Sequence, residues 1–248
     1  MSLLTVERQG AGAPLLWLHG FTQTRDSARE FRTILAGRHE LWTLDLPGHG
    51  EASGLRASLG ETADLIARAI GSEPVVLGGY SLGGRVALHV ALTRPDLVRR
   101  LILLGASRGI EDPLERAQRR ERDEALAQRL ETEGARSFLD YWLAQPLFAG
   151  LGDRAEVDAR SLDARGLAAS LRLCGTGRQE WLGPRLSELS MPVLALAGAR
   201  DDKFSREARA IAEAVPHGSW ALIPEAGHAA QLERPAACAE AVESFLVS

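Results

Sequence analysis

The sequence is poor in the features that mark several broad classes of protein. It has two cysteines, Cys174 and Cys238, far apart and without a CxxC spacing. Neither a disulfide framework nor a cysteine metal site is expected, and both thiols read as reduced. Lysine is nearly missing: Lys203 is the single one, and every other basic residue is arginine. A genome-wide composition bias explains most of that skew, yet arginine is also the better bidentate partner for carboxylates. There is no excess of positive charge. Lys+Arg number 29 against 33 Asp+Glu, a net charge of -4, which argues against a general nucleic-acid binder. No stretch of 18 apolar residues is present, so no membrane insertion is expected. The opening segment MSLLTVERQGAGAP has no basic stretch followed by an apolar run, so no secretory leader is expected and the location reads as cytoplasmic. The six histidines form no HxH or HExxH pair, and no glycine-rich phosphate loop follows a strand. Metal and other cofactors are therefore not expected.

What is present is an ordinary globular composition, 45% hydrophobic and 25% charged over 248 residues. That is enough chain to bury a large core in one domain. Short apolar runs alternate with helical segments. Strands are expected at 14–18, 40–44, 74–78 and 99–104, and helices at about 25–37, 60–71 and 82–93. Such alternation implies a mostly parallel sheet with helices on both faces. Residues 107–185 contain no convincing strand and read as a helical insertion. The alternation resumes with a strand at 191–197, a helix near 205–214, a strand at 219–223 and a helix near 234–247. The expected organisation is an α/β core of 1–106 and 186–248 carrying a helical cap of 107–185.

Gly79-Tyr80-Ser81-Leu82-Gly83 matches G-x-S-x-G between an expected strand and an expected helix. In such a turn the nucleophile needs small neighbours, and its hydroxyl points into a cleft. A serine hydroxyl needs a base, and the base needs an orienting acid. Asp201 follows the strand 191–197 and His228 follows the strand 219–223, so both lie at the carboxyl edge of the sheet with Ser81. Asp202 is the near competitor for the acid role. The loop after the first strand, Leu18-His19-Gly20-Phe21, offers the backbone N–H of Phe21, which with that of Leu82 can bind a developing oxyanion. His19 reads as structural. Arg85 lies one helical turn after Ser81 and faces the same cleft.

The stretches LHGF, DLPGHG, GYSLGG, GARD and AGH resemble the α/β-hydrolase superfamily over essentially the whole chain. GYSLGGRVAL with Arg85, RAQRRERD, YWLAQPLF and GARDDKF more narrowly resemble the 2-succinyl-6-hydroxy-2,4-cyclohexadiene-1-carboxylate synthases of menaquinone biosynthesis. The resemblance implies an α/β-hydrolase fold and a lyase that eliminates pyruvate from an enolpyruvyl cyclohexene carboxylate. In that chemistry the Ser81-His228-Asp201 set serves proton abstraction. It also implies that Tyr80, Arg85, Arg119, Trp142 and Arg160 contact a small polycarboxylate substrate, in a monomer or small homo-oligomer. The chain departs from the pattern in three places. Gln231 stands where relatives often carry a second histidine, the HGFTQTRDSARE segment lacks an aromatic, and Glu51-Ala52-Ser53 lengthens the GHG turn by one residue. A carboxylic-ester hydrolase acting through an acyl-serine is the alternative enzyme. A non-catalytic binding protein of the same fold is the third reading.

Overall fold

Buried apolar strands with short connections stack side by side into one sheet, and this computed structural model describes it for residues 4–247. Met1–Leu3, the start of the segment read for a leader, and Ser248 lie outside the described residues. In chain order come β1 (Glu7–Gln9), β2 (Pro14–Leu18), α1 (Arg29–Ala36), β3 (Glu40–Leu44), α2 (Leu59–Ile70), β4 (Val75–Tyr80), α3 (Leu82–Thr93) and β5 (Val98–Leu104). Helices α4 (Pro113–Leu143) and α5 (Ala164–Cys174) lead to β6 (Val193–Gly198). The chain finishes with α6 (Asp202–Ala214), β7 (Gly218–Ile223), α7 (Ala230–Glu233) and α8 (Pro235–Val247).

The strand order is β1-β3-β2-β4-β5-β6-β7. All neighbours from β3 to β7 pair in parallel, and β1 alone runs antiparallel, against β3. One face buries Ala63 and Ile66 of α2, Val86 and Leu88 of α3 and Ile211 of α6. The other buries Phe31 and Leu35 of α1 with Cys238 and Val242 of α8. The expected mostly parallel sheet covered on both faces is therefore the architecture observed. No helix among the described residues is long and apolar enough to cross a membrane.

The differences from the sequence reading are local. β1 was not expected, because three exposed polar residues at a sheet edge carry no apolar alternation. The helix expected from about 25 begins at Arg29. Thr22 and Ala28 take left-handed backbone conformations ahead of it, which no helix accommodates. The helix expected near 234–247 is α8, and the one addition is the short α7 ahead of it, separated from α8 at Arg234, whose φ of -140° just before Pro235 is what the residue before proline favours.

Between β5 and β6, α4 is capped by Asp112, whose carboxylate accepts from the N–H groups of Leu114 and Glu115. It is broken at Gly134, with φ 79° and ψ 163°, a conformation that favours glycine. Residues on both sides of this kink pack against α5. Ala127, Leu130, Phe138, Leu167 and Leu171 then form a small apolar core of their own.

The connection from β4 to α3 decides where the chemistry sits. Ser81 occupies φ 51°, ψ -106°, strained for a residue with a side chain, at a cost of order 1–3 kcal/mol. Its N–H donates to Leu104 O (2.8 Å) and its carbonyl accepts from Arg85 N (3.0 Å), which pins the turn. The turn closes only because its neighbours lack a Cβ. A methyl on Gly83 would lie 2.2 Å from Leu18 O, and one on Gly79 would lie 2.4 Å from the Gly83 carbonyl carbon. Gly83→Ala is expected to lower the free energy of urea unfolding by about 1–3 kcal/mol, the usual range for overpacking. An unchanged unfolding midpoint would show that the turn relaxes freely.

Candidate active site

The loops that follow β2, β4, β5, β6 and β7 meet at the carboxyl edge of the sheet, where open α/β sheets bind ligands. Ser81, Asp201 and His228 come together there. The Nδ1–H of His228 donates to Asp201 Oδ2 at 2.8 Å, and His228 Nε2 lies 3.4 Å from Ser81 Oγ. Asp201 does a second task as the N-cap of α6, its Oδ1 accepting from Phe204 N at 3.2 Å. Burial works against its charge. The His228 hydrogen bond and charge, the Phe204 N–H and the nearby Lys203 outweigh it and hold the carboxyl below its ordinary value. Asp202, the competing acid, is the exposed first residue of α6.

Phe204, Phe148 and Gly105, which were not singled out in the sequence, shape the surroundings of the His228 ring together with Tyr80. Phe204 packs on it with centroids 4.4 Å apart, and the Tyr80 and Phe148 rings lie at 5.3 and 6.1 Å. Gly105 makes room for it: a Cβ there would lie 3.1 Å from His228 Cε1. Phe204 sits in the GARDDKF stretch and Gly105 ends the strand LILL, so each had a positional signal but no chemical one.

The Phe21 turn follows β2. Gly20 N donates to Gln23 Oε1 at 2.9 Å, and Gly20 itself must lack a side chain, since a Cβ would lie 2.6 Å from the Tyr80 ring. The N–H of Leu82, first residue of α3, has no partner within its helix. His19 ties this turn to the next loop. Leu46 N donates to its Nε2 (3.0 Å), so the proton sits on Nδ1 and donates to Gly20 O (2.9 Å). Burial pushes His19 down to about 4. His49, 5.0 Å away between ring centroids, is pushed down to about 3 by burial and by His19.

These groups open onto a cavity of about 710 Å³ whose wall includes Phe21, Tyr80, Ser81, Leu82 and His228. Arg85, Arg119 and Trp142 are also on that wall. Arg85 is 8% exposed, and its hydrogen bonds go to neutral oxygens, Cys174 O at 2.7 Å and Gln179 Oε1 at 3.3 Å. Burial brings its pKa down to about 10, which leaves it charged at neutral pH. Arg119 uses its Nε on Asp123, 2.8 Å away and one turn on. Trp142 stacks on Phe138 (5.9 Å) and meets Phe21 edge-on (5.3 Å). Its buried indole N–H has no partner among the described residues. Tyr80 is buried, and that burial raises its phenol well above its ordinary value. Arg160 is different: it is not on the cavity wall and hydrogen-bonds Thr22 Oγ1 and Ala155 O instead.

Comparison with known proteins follows the same lines. Residues 15–241 match the alpha/beta hydrolase family. The 2-succinyl-6-hydroxy-2,4-cyclohexadiene-1-carboxylate synthase of Serratia proteamaculans (strain 568) is 33% identical, over 94% of this chain and 93% of its own. MenH from S. aureus has a similar structure, with a TM-score of 0.91 at 29% identity, covering 100% of this chain and 98% of that one. A thermophilic esterase from Thermogutta terrifontis, solved with malate bound, has a TM-score of 0.84 at 28% identity, covering 98% and 93%.

The two buried histidines set a pH dependence. Unfolded histidine binds a proton below about 6.5, whereas the folded chain keeps His19 neutral to about 4 and His49 to about 3. Their contribution is therefore complete above pH 6.5 and is lost as the pH falls toward 4 for His19 and toward 3 for His49. Urea titrations should show stability falling by about 1.4 kcal/mol per pH unit for each histidine across that window. His49→Phe should flatten the slope. An unchanged slope in that variant would contradict the burial of a neutral ring.

Proposed function

Because this chain belongs to the alpha/beta hydrolase family and is closely related to the 2-succinyl-6-hydroxy-2,4-cyclohexadiene-1-carboxylate synthases within it, we propose that it is a carbon–oxygen lyase. Its substrate is 2-succinyl-5-enolpyruvyl-6-hydroxy-3-cyclohexene-1-carboxylate, and its products are pyruvate and 2-succinyl-6-hydroxy-2,4-cyclohexadiene-1-carboxylate. It acts in the cytoplasm without a cofactor. Residues 107–185 serve as a cap over a core of 1–106 and 186–248.

The mechanism uses the site as built. His228, held in one tautomer by Asp201, takes the Ser81 hydroxyl proton. The Ser81 alkoxide removes the proton from the ring carbon beside the succinyl carbonyl, an acidic position. The charge moves onto the carbonyl oxygen as an enolate, where the N–H groups of Phe21 and Leu82 stabilise it. As the enolate collapses, the ring double bond shifts and the carbon–oxygen bond to the enolpyruvyl group breaks. The leaving enolate takes the proton held on His228 and becomes pyruvate. Serine ends protonated and histidine neutral, so no acyl-enzyme and no water are needed.

The observation that carries this reading is Arg85, a buried guanidinium on the cavity wall whose hydrogen bonds end on neutral carbonyls. A buried charge with no hydrogen-bonded counter-ion is costly unless an anion completes it. A carboxylate of the substrate supplies that anion, with Arg119, Trp142 and Tyr80 around it. An apolar acyl pocket of an ester hydrolase has no use for such a cation.

The test is pyruvate release from the enolpyruvyl substrate. Wild type should release pyruvate far above the uncatalysed rate, and Ser81→Ala should lose it. Release no faster than the control, with turnover of aryl esters instead, would replace the lyase by the hydrolase. Arg85→Gln should raise KM about 10- to 100-fold, as expected for losing a charge-assisted hydrogen bond of about 1.5–3 kcal/mol. An unchanged KM would remove Arg85 from the substrate site.

A further inference from the structure

Thr22, the residue after Phe21, is fully buried and lies at φ 68°. A β-branched residue in that region is an outlier that its surroundings must enforce. The enforcing contacts come from the segment between α4 and α5. Arg160 Nη1 donates to Thr22 Oγ1 at 2.6 Å, and Ser161 N donates to Thr22 O at 2.8 Å. Gln23, whose side chain accepts from Gly20 N, forms an isolated antiparallel bridge with Arg160. Thr24 Oγ1 and Ser27 Oγ both donate to Ala159 O, at 3.0 and 2.6 Å. Arg160 is itself steadied by donating from Nε to Ala155 O at 2.9 Å. It is buried at 6% exposure and absent from the cavity wall.

We infer that Arg160 is a positioning residue for the Phe21 turn: through the Thr22 hydroxyl it fixes the strained backbone that aims the Phe21 N–H at the reacting oxygen, and it does not bind a substrate carboxylate. The inference rests on the oxyanion role given to Phe21 above. Segment 155–161 then completes the catalytic edge of the sheet from outside the core. Arg160 has two of its donor nitrogens committed to protein oxygens. A lysine has one point charge and no fixed fork, so it does not reproduce both bonds at once.

Thr22→Val, Thr22→Ser, Arg160→Gln and the Thr22→Val/Arg160→Gln double variant test this. Two readouts are taken: steady-state pyruvate release, and the rate at which phenylmethanesulfonyl fluoride inactivates Ser81. In the second reaction Ser81 Oγ bonds to sulfur, fluoride leaves and His228 takes the hydroxyl proton. That probe carries no carboxylate but draws on the same N–H groups. Thr22→Val and Arg160→Gln should each lower kcat about 10- to 100-fold, since misplacing a catalytic group by about 1 Å costs that order. KM should stay within about twofold, and Ser81 sulfonylation should slow in parallel. Thr22→Ser, which keeps the hydroxyl, should stay near wild type. The double variant should be no worse than the poorer single one, because both break one link.

A KM rise with unchanged kcat in Arg160→Gln, sulfonylation at the wild-type rate, or multiplicative losses in the double variant would each overturn the inference. If Arg160→Gln does not fold, Thr22→Val against Thr22→Ser carries the test alone. If wild type releases no pyruvate, the lyase reading fails, while the sulfonylation series still decides the role of Arg160.

Discussion

A single sharp turn, with Ser81 held at φ 51°, is the constraint on which the rest of the molecule depends. It forces the chain from a buried strand straight into a buried helix, and it demands that Gly79, Gly83 and the backbone after β2 approach without a Cβ between them. That approach brings the Leu18–Phe21 turn against the start of α3. The serine hydroxyl, the Leu82 N–H and the Phe21 turn thus share one location because one steric requirement places them. The strain is offset by the hydrogen bonds at both ends of the turn and by the core on each face of the sheet.

Electrostatics at the site follow from who is paired and who is not. Asp201 is satisfied twice, by His228 and by the start of α6, and so remains an anion able to stabilise a protonated His228. Arg85 is buried among neutral acceptors and remains a cation in search of one. The contrast separates machinery from binding site. Ser81, His228 and Asp201 alone are compatible with either acyl transfer or proton abstraction. The buried cation one turn further along α3 supports the proposed carboxylate-bearing substrate, and the kinship with the synthases favours proton abstraction over acyl transfer.

Much of this was legible in the sequence. The parallel strands are short apolar runs with turn residues at their ends, and the Ser, Asp, His order followed from what comes after each run. Glycines crowding Ser81 were legible because steric demand leaves a compositional mark. Four things were not. β1 is too short and too exposed to show a pattern. The left-handed residues Thr22 and Ala28, the second of which delays α1, are ordinary residue types held in unusual conformations by distant contacts. Arg160 shares a residue type with Arg85, and nothing local shows that its hydrogen bonds turn toward Thr22 instead of the cavity. Phe204 and Gly105 were hidden for a related reason, since packing on an imidazole ring is a property of the fold and not of a motif.

The central claim is that Ser81 takes a proton from carbon and forms no covalent intermediate. The most direct test is the rate of pyruvate release from substrate deuterated at the ring carbon beside the succinyl carbonyl. A normal primary isotope effect on kcat/KM is predicted, because breaking that bond is the first chemical step. No isotope effect, with an acyl adduct on Ser81 caught by intact-mass measurement during turnover, would contradict the account.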